Sequence, residues 1–198
     1  MIKPSSAKFI ISSPNLESCK NFGLSEIAFL GRSNVGKSSF INALINQNLA
    51  KSSSTPGKTR LINFFEANFV DDDKNKFNFI FVDLPGFGYA KVSKKMHQIW
   101  QSSLDEFLKF RTSIRLFIHL RDSRQFNLDI DNEVDFYLKS FLRSDQEILN
   151  FYTKSDKLNQ SNKAAVLKFD KNAKFISTLK NTGIDKAREI IVSKVFGV

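Results

Sequence analysis

The 198-residue sequence predicts an α/β fold built on a mostly parallel six-stranded sheet with helices on both faces. Three observations lead there. Short apolar runs alternate with stretches whose apolar residues repeat at helical spacing, the pattern of successive strand–helix units. A glycine-rich turn joins the first strong apolar run to the first helical stretch. Hydrophobic residues make up 41% of the chain, 21 Phe among them, enough to build the core of one domain of this length.

Taken in order, residues 1–24 read as an N-terminal extension with one short strand, Phe9-Ile10-Ile11, packed on a domain spanning 25–198. Glu26 to Leu30 is an apolar strand. Phe40, Ile41, Leu44 and Ile45 follow at helical spacing. A loop rich in Ser, Thr, Pro and Gly covers 48–59. Leu61–Val70 and Phe77–Asp83 are strands joined by an acidic tip at Asp71-Asp72-Asp73. Met96, Trp100, Leu104, Phe107 and Leu108 share a helical face. Ile114–Leu120 is a strand, and Asn127 is placed to cap a helix carrying Ile130, Val134, Leu138 and Phe141. Ile148–Thr153 is a strand, Ala164–Phe169 is helical, and Lys174–Ser177 is the last strand. Thr182 and Asp185 form a capping box ahead of a final helix. In sheets of this kind, ligands bind at the carboxyl ends of the strands.

Those ends carry the motifs. Gly31-Arg32-Ser33-Asn34-Val35-Gly36-Lys37-Ser38, continued by Ser39, matches G-x-x-x-x-G-K-[ST] and lies between a strand and a helix, as the motif requires. The amides from Asn34 to Ser39 can point at phosphates, reinforced by the helix dipole. Lys37 can reach the β- and γ-phosphates, and the Ser38 hydroxyl can ligate Mg²⁺. Asp83-Leu84-Pro85-Gly86 is D-x-x-G at a strand end. Asp83 can hold Mg²⁺ through water, and the Gly86 N–H can approach the γ-phosphate. In the loop Ser54-Thr55-Pro56-Gly57-Lys58-Thr59, a threonine can complete the Mg²⁺ shell, Thr59 in preference to Thr55. Lys37, Thr59 and Gly86 are therefore the candidate catalytic groups. Gly57 and Lys58 accompany Thr59 at the nucleotide.

Thr153-Lys154-Ser155-Asp156 fits [NT]-K-x-D. An ionised Asp accepts only, so Asp156 can take both the ring N–H and the exocyclic amine of guanine, a donor pair adenine lacks. The Lys154 stem can pack on the purine. Ile176-Ser177-Thr178 ends the last strand, where backbone N–H groups can meet the guanine oxygen. This last match is identified by position only. Each short motif alone fits an ordinary turn; their order along the chain, each at a strand end, points to GTP.

The formal net charge is +10 and the isoelectric point is near 9.7. That favours a polyanionic partner, nucleic acid or an anionic surface. Residues 151–198 hold ten Lys or Arg against four Asp or Glu, and Lys91, Lys94 and Lys95 form a second cluster; solvated helix faces are the plainer reading of either. Cys19 is the one cysteine, so no internal disulfide forms and a reducing compartment fits. Residues 1–13 lack a signal-peptide pattern, and no apolar run is long enough to span a membrane. The expectation is a cytoplasmic monomer without membrane contact. His97 and His119 have no metal or catalytic partner pattern and read as structural.

Three stretches resemble the EngB (YsxC/YihA) family of the TrmE-Era-EngA-EngB-septin-like superfamily. They are Ser25 through Ser39, Thr55-Pro56-Gly57-Lys58-Thr59 with Asn63-Phe64-Phe65, and Asp83-Leu84-Pro85-Gly86-Phe87-Gly88-Tyr89-Ala90-Lys91-Val92. The resemblance covers essentially the whole chain. It implies a Ras-like GTPase domain that binds GTP and GDP with Mg²⁺, Ser38 and Thr59 being Mg²⁺ ligands by motif match. It also implies action in assembly of the large ribosomal subunit, with rRNA or a subunit precursor as partner, and a link to cell division and septation. Two departures stand out: Arg121-Asp122-Ser123-Arg124 replaces the usual basic stretch, and the last motif reads Ser-Thr. Ras-like enzymes orient the attacking water with a Gln after D-x-x-G. Phe87 stands there, which implies slow intrinsic hydrolysis. Asn34 resembles a residue that holds K⁺ in related GTPases. The competing expectations are a P-loop ATPase or kinase, which does not need Asp156, and a nucleotide-dependent RNA-binding module with little GTPase activity.

Overall fold

The computed structural model describes residues 1–51, 61–87 and 94–198, with side chains throughout these except at 94–101. The strands are β1 (Lys3–Ser13), β2 (Glu26–Gly31), β3 (Ile62–Val70), β4 (Lys76–Asp83), β5 (Ile114–Asp122), β6 (Glu147–Thr153) and β7 (Lys174–Phe175). The helices are α1 (Lys37–Ile45), α2 (Lys94–Phe110), α3 (Asp129–Phe141), α4 (Gln160–Phe169) and α5 (Ile184–Phe196). They build one sheet of order β1-β3-β4-β2-β5-β6-β7. The pairs from β4 across to β7 are parallel; β1·β3 and β3·β4 are antiparallel.

The sheet therefore has seven strands, one more than expected. The short strand expected at Phe9–Ile11 belongs to an 11-residue edge strand, paired with β3 from Lys3↔Val70 to Ser13↔Ile62. An edge strand is held by backbone hydrogen bonds and leaves much of its surface in water. Its first half, Lys3-Pro4-Ser5-Ser6, therefore shows no apolar alternation, and Pro4 is tolerated there. The segment after β1 is pinned by Arg111, which donates to the Lys20 carbonyl at 2.5 Å and grips buried Glu26 at 2.6 and 3.0 Å.

β2 is buried at every position, as a central parallel strand must be. Its alternation splits the core in two. Ile27 and Phe29 face α1 and α5, packing with Phe40, Phe81, Ile118 and Ile191. Ala28 and Leu30 face α2 and α3, packing with Val82, Phe107, Phe117 and Leu138. Edge-to-face ring pairs, Phe29–Phe81 and Phe69–Phe79 with centroids 4.9 Å apart, use the abundant Phe as core filler. Arg188 of α5 donates to the carbonyls of Ala43 and Leu44 at 2.7 and 2.9 Å and so closes the end of α1.

Two expected caps are not formed. α3 opens at Leu128, and Asn127 instead accepts from the Asn132 side chain at 3.0 Å. α5 opens at Gly183 (φ +76°), and Asp185 pairs with Arg188 rather than closing a box with Thr182. A left-handed residue at the helix start turns the preceding chain away, so Thr182 is drawn into a bridge with Ser177. α4 begins at Gln160 and is capped by Asn159, which accepts from the Asn162 N–H at 2.8 Å. β7 is shorter than the expected strand and ends at Phe175. Among the described residues, no helix is long and apolar enough to cross a membrane.

Candidate nucleotide site

The carboxyl ends of β2, β4, β5 and β6 and the start of α1 meet at one place. β2 runs into the phosphate loop, which turns through Asn34 (φ +63°) and Gly36 (φ +106°) into α1. Only glycine takes the conformation at 36 without strain. α1 starts there with no side-chain cap, so the first-turn amides of Lys37, Ser38 and Ser39 stay open to an external acceptor. Ser38 is half-buried, and its hydroxyl is unengaged among the described residues.

Lys37 reaches across to Asp83 at the end of β4 and pairs with its buried carboxylate. Asp83-Leu84-Pro85-Gly86 then passes along the phosphate loop. Ser33 N–H donates to the Phe87 carbonyl at 3.2 Å, and Phe87 N–H donates to the Gly31 carbonyl at 3.3 Å. Gly86 lies so close that a Cβ there would meet Ser33 Oγ at 2.9 Å and Ser33 N at 3.0 Å. Open amides, a primary ammonium, a free hydroxyl and a buried carboxylate form the donor set a Mg²⁺-triphosphate needs. The residues present fit both groups.

β6 supplies the second half of the site. The buried Thr153 hydroxyl lies 2.7 Å from the Val35 carbonyl and 3.2 Å from the Arg121 carbonyl, so Thr153 braces the phosphate loop. Lys154 (φ +57°) extends its ammonium to the Asn34 carbonyl and to Asp122, both at 2.9 Å. Burial pushes the Asp122 carboxyl up, but Arg124 and Lys154 outweigh it and hold the group well below the usual carboxylate range. Asp156 accepts from the Ser177 hydroxyl at 2.6 Å, which lowers its pKa and keeps it ionised as an acceptor.

The structure thus gives some expected residues a different part. Ser177 N–H donates to the Thr182 carbonyl at 3.0 Å, so its contribution is the hydroxyl that orients Asp156. Ile176 is buried, with its N–H on the Tyr152 carbonyl and its carbonyl on the Ser155 N–H. Thr178 is exposed. Val35 and Leu84 are core residues whose contribution is backbone. Thr55, Gly57, Lys58 and Thr59 lie outside the described residues, as does Lys91; so do the side chains of Lys94, Lys95 and His97.

A buried polar cluster behind the phosphate loop was not read from the sequence. Arg32 Nε lies 3.3 Å from Asp131. His119 Nδ1 lies 2.6 Å from Asp135, and its Nε2 lies 3.6 Å from Asp131. Arg121 donates to Asp135 at 2.5 Å. Burial pushes the His119 imidazole down, but the two carboxylates more than compensate, leaving its pKa raised. His119 is structural, as expected. Its partners come from α3, too far along the chain for a local motif to reveal.

Strand order and the strand–phosphate loop–helix unit define the fold of a P-loop GTPase of the Ras-like class. The family model described as 50S ribosome-binding GTPase matches residues 26–171. The "Probable GTP-binding protein EngB" of Campylobacter lari is 59% identical over 192 residues, covering 96% of each chain. That of Campylobacter jejuni strain RM1221 is 56% identical over 194 residues, covering 98% of each. The chain belongs to the EngB family of GTP-binding proteins. A crystal structure described as a probable GTP-binding protein engB shares the fold, with a TM-score of 0.65 at 22% identity over 88% of this chain and 100% of that one. Aquifex aeolicus Era does likewise, with a TM-score of 0.67 at 21% identity over 85% and 56%.

Proposed function

We propose that this GTPase hydrolyses GTP slowly with Mg²⁺ and acts in the cytoplasm, as a monomer, on the large ribosomal subunit or its precursor during assembly, with cell division and septation depending on that step. The observation that carries the catalytic half is Lys37 and Asp83 meeting beside the open first turn of α1. Ser38, Asp83 and Thr59 would hold Mg²⁺, whose chemistry is to neutralise charge on the β- and γ-phosphates. Lys37 and the loop amides bind the same oxygens and stabilise charge as the bond to the γ-phosphorus breaks. Gly86 brings its N–H to the γ-phosphate edge. Asp156, held by Ser177, selects guanine.

No side chain in this set removes a proton from water. Phe87, at the position where Ras-like enzymes carry Gln, lies against His119 with the rings tilted and their centroids 5.8 Å apart. The pure chain therefore turns over slowly and needs an activator, for which the ribosomal particle is the candidate. The 50S ribosome-binding description of the family model and the basic charge support that partner. K⁺ near Asn34 is a further element, read from family likeness.

The decisive experiment measures phosphate release with Mg²⁺ or EDTA, in K⁺ or Na⁺, with and without large subunits. It is paired with co-sedimentation under GDP and a non-hydrolysable GTP analogue. Slow Mg²⁺-dependent release accelerated by subunits supports the proposal. Phe87 also keeps a second reading in view, a nucleotide-dependent RNA-binding module with little GTPase activity. Co-sedimentation without accelerated release would select it.

A further inference from the structure

A groove outside the nucleotide pocket runs between α3 and the β6–α4–β7 edge. Its two lobes, of about 440 and 480 Å³, share Asp135, Lys139, Asn150 and Asp170 and so form one channel. The two carboxylates of its floor are hydrogen-bonded. Asp135 is taken by His119, Arg121 and Asn150, and Asp170 by Tyr152 at 3.0 Å and the Asn172 N–H at 2.9 Å. On the rim, Lys139 of α3 and Lys171 beyond α4 are exposed and form no ion pair among the described residues; along the second lobe Lys174 donates to the Asn172 carbonyl at 3.1 Å, and Lys194 is paired with Glu147 at 2.8 Å.

Two phenylalanines stand beside the free lysines. Phe136 is 77% exposed and Phe169 is 43% exposed, and both line the first lobe. Phe136 sits three residues before Lys139, so ring and ammonium share one face of α3. The guanidinium of Arg121 lies 5.7 Å from the Phe169 ring centroid, and the Phe126 ring packs on Phe169 at 5.5 Å, leaving Phe169 part-exposed. Exposed rings interleaved with unpaired cations offer what a single nucleic-acid strand needs: planar faces for unstacked bases and positive charge along a backbone. Bases within a duplex are stacked on each other and cannot present those faces.

We infer that this groove binds single-stranded RNA, with Phe136 and Phe169 stacking bases and Lys139 and Lys171 meeting phosphates. The inference rests on the ribosomal reading above and names the surface that would carry it. The occupant is argued from charge complementarity in a chain of net charge +10. The groove floor is linked to the phosphate loop at one remove: Arg121 and Asp135 belong to the buried cluster that runs through His119 and Asp131 to Arg32.

The test is fluorescence anisotropy of the full chain with a labelled 12-nucleotide oligouridylate, its duplex with oligoadenylate, and a salt series. The unmodified chain should prefer the single strand. Phe136→Ala and Phe169→Ala should each weaken it by about tenfold, the loss expected for one stacked base. The Lys139→Ala/Lys171→Ala double variant should flatten the log–log salt slope by about 1.4, two phosphate contacts' worth. GDP affinity and melting temperature report that the variants are folded; Phe136 is exposed enough for its removal to leave both unchanged. Equal binding of duplex and strand, or variants matching the unmodified chain, overturns the inference. If such variants still co-sediment with large subunits, the groove is refuted and the ribosomal reading stands. If Phe136→Ala loses subunits but binds free RNA normally, the groove belongs to a protein partner and the inference fails.

Discussion

Asp131 of α3, shielded completely from solvent, lies 3.3 Å from the Nε of Arg32 in the phosphate loop. Its other oxygen faces His119 at 3.6 Å. Helix α3 is thereby tied to a side chain of the phosphate loop. Phe87, next to D-x-x-G, forms a bridge with Arg32 and places its ring against His119. The phosphate loop and the D-x-x-G segment thus share one buried support.

Removing that support should be felt in stability and in nucleotide affinity together. Asp131→Ala leaves His119 and Arg32 without their shared carboxylate. Breaking a buried pair costs about 3–5 kcal/mol, and Arg32 can reach water, so the low end is expected. Urea unfolding should show that loss, and GDP titration should show weaker binding. An unchanged urea midpoint would mean Asp131 carries no net load.

The same cluster sets a pH dependence. His119 faces Asp131 and Asp135 from α3 and Arg121 from its own strand. Its raised folded pKa contributes stability that is full below the unfolded value of about 6.5 and is lost as pH rises through the folded value. Asp135 behaves oppositely. Burial raises it, but His119 and Arg121 outweigh that and bring it to about 2, so its contribution disappears as pH falls from about 4 toward 2. Urea midpoints measured from pH 3 to pH 9 should fall at both ends. His119→Gln should abolish the alkaline decline and weaken the acid one, leaving the part that Arg121 supplies to Asp135.

The strand-end motifs of the candidate site are legible in the sequence because their spacing is local. Gly31 to Ser38 must turn and open a helix wherever it occurs, and Asp83 is announced by the apolar run before it. The cluster around Asp131 could not be read. It joins a loop, a strand and a helix whose members carry no shared spacing. β1 was under-read for another reason: edge pairing uses peptide groups, and Lys3 to Ser6 spend no apolar residues on it. The expected cap at Asn127 failed because a polar residue before a helix is a common signal with several uses, and here it serves Asn132.

Thr153 and Asp156 share one motif but do different work, and variants should separate them. Thr153→Val keeps the shape and removes the hydroxyl that holds the Val35 carbonyl. Leaving that carbonyl unsatisfied costs about 1–3 kcal/mol, so GTP and GDP affinities should fall by about tenfold with the GTP-to-ATP preference intact. Equal loss of preference would make Thr153 a base reader.

Asp156→Asn should collapse GTP binding by a hundredfold or more, since a site built for those hydrogen bonds is left mispaired. It should accept xanthosine triphosphate instead, whose ring edge presents the complementary acceptor. Ser177→Ala removes the 2.6 Å hydrogen bond that orients the carboxylate. A hydrogen bond to a charged group is worth about 1.5–3 kcal/mol, so a smaller loss, about tenfold, is expected with guanine still preferred. Competition titrations with GTP, ATP and xanthosine triphosphate read all three outcomes.

Gly86 offers the sharpest test of how the γ-phosphate edge is built. A methyl group there would lie 2.9 Å from Ser33 Oγ and 3.0 Å from Ser33 N. The hydroxyl can swing aside, but the backbone nitrogen cannot, because its N–H is committed to the Phe87 carbonyl. Gly86→Ala must therefore push the D-x-x-G segment off the phosphate loop by some tenths of an ångström. GDP, which makes no γ-phosphate contact, should bind almost as before. A non-hydrolysable GTP analogue should lose affinity, and phosphate release should slow, because a displacement of that size at the reacting group is enough to disrupt alignment. Equal weakening of both nucleotides would place the damage in the loop itself. Unchanged hydrolysis would show that the Gly86 N–H does not act on the γ-phosphate.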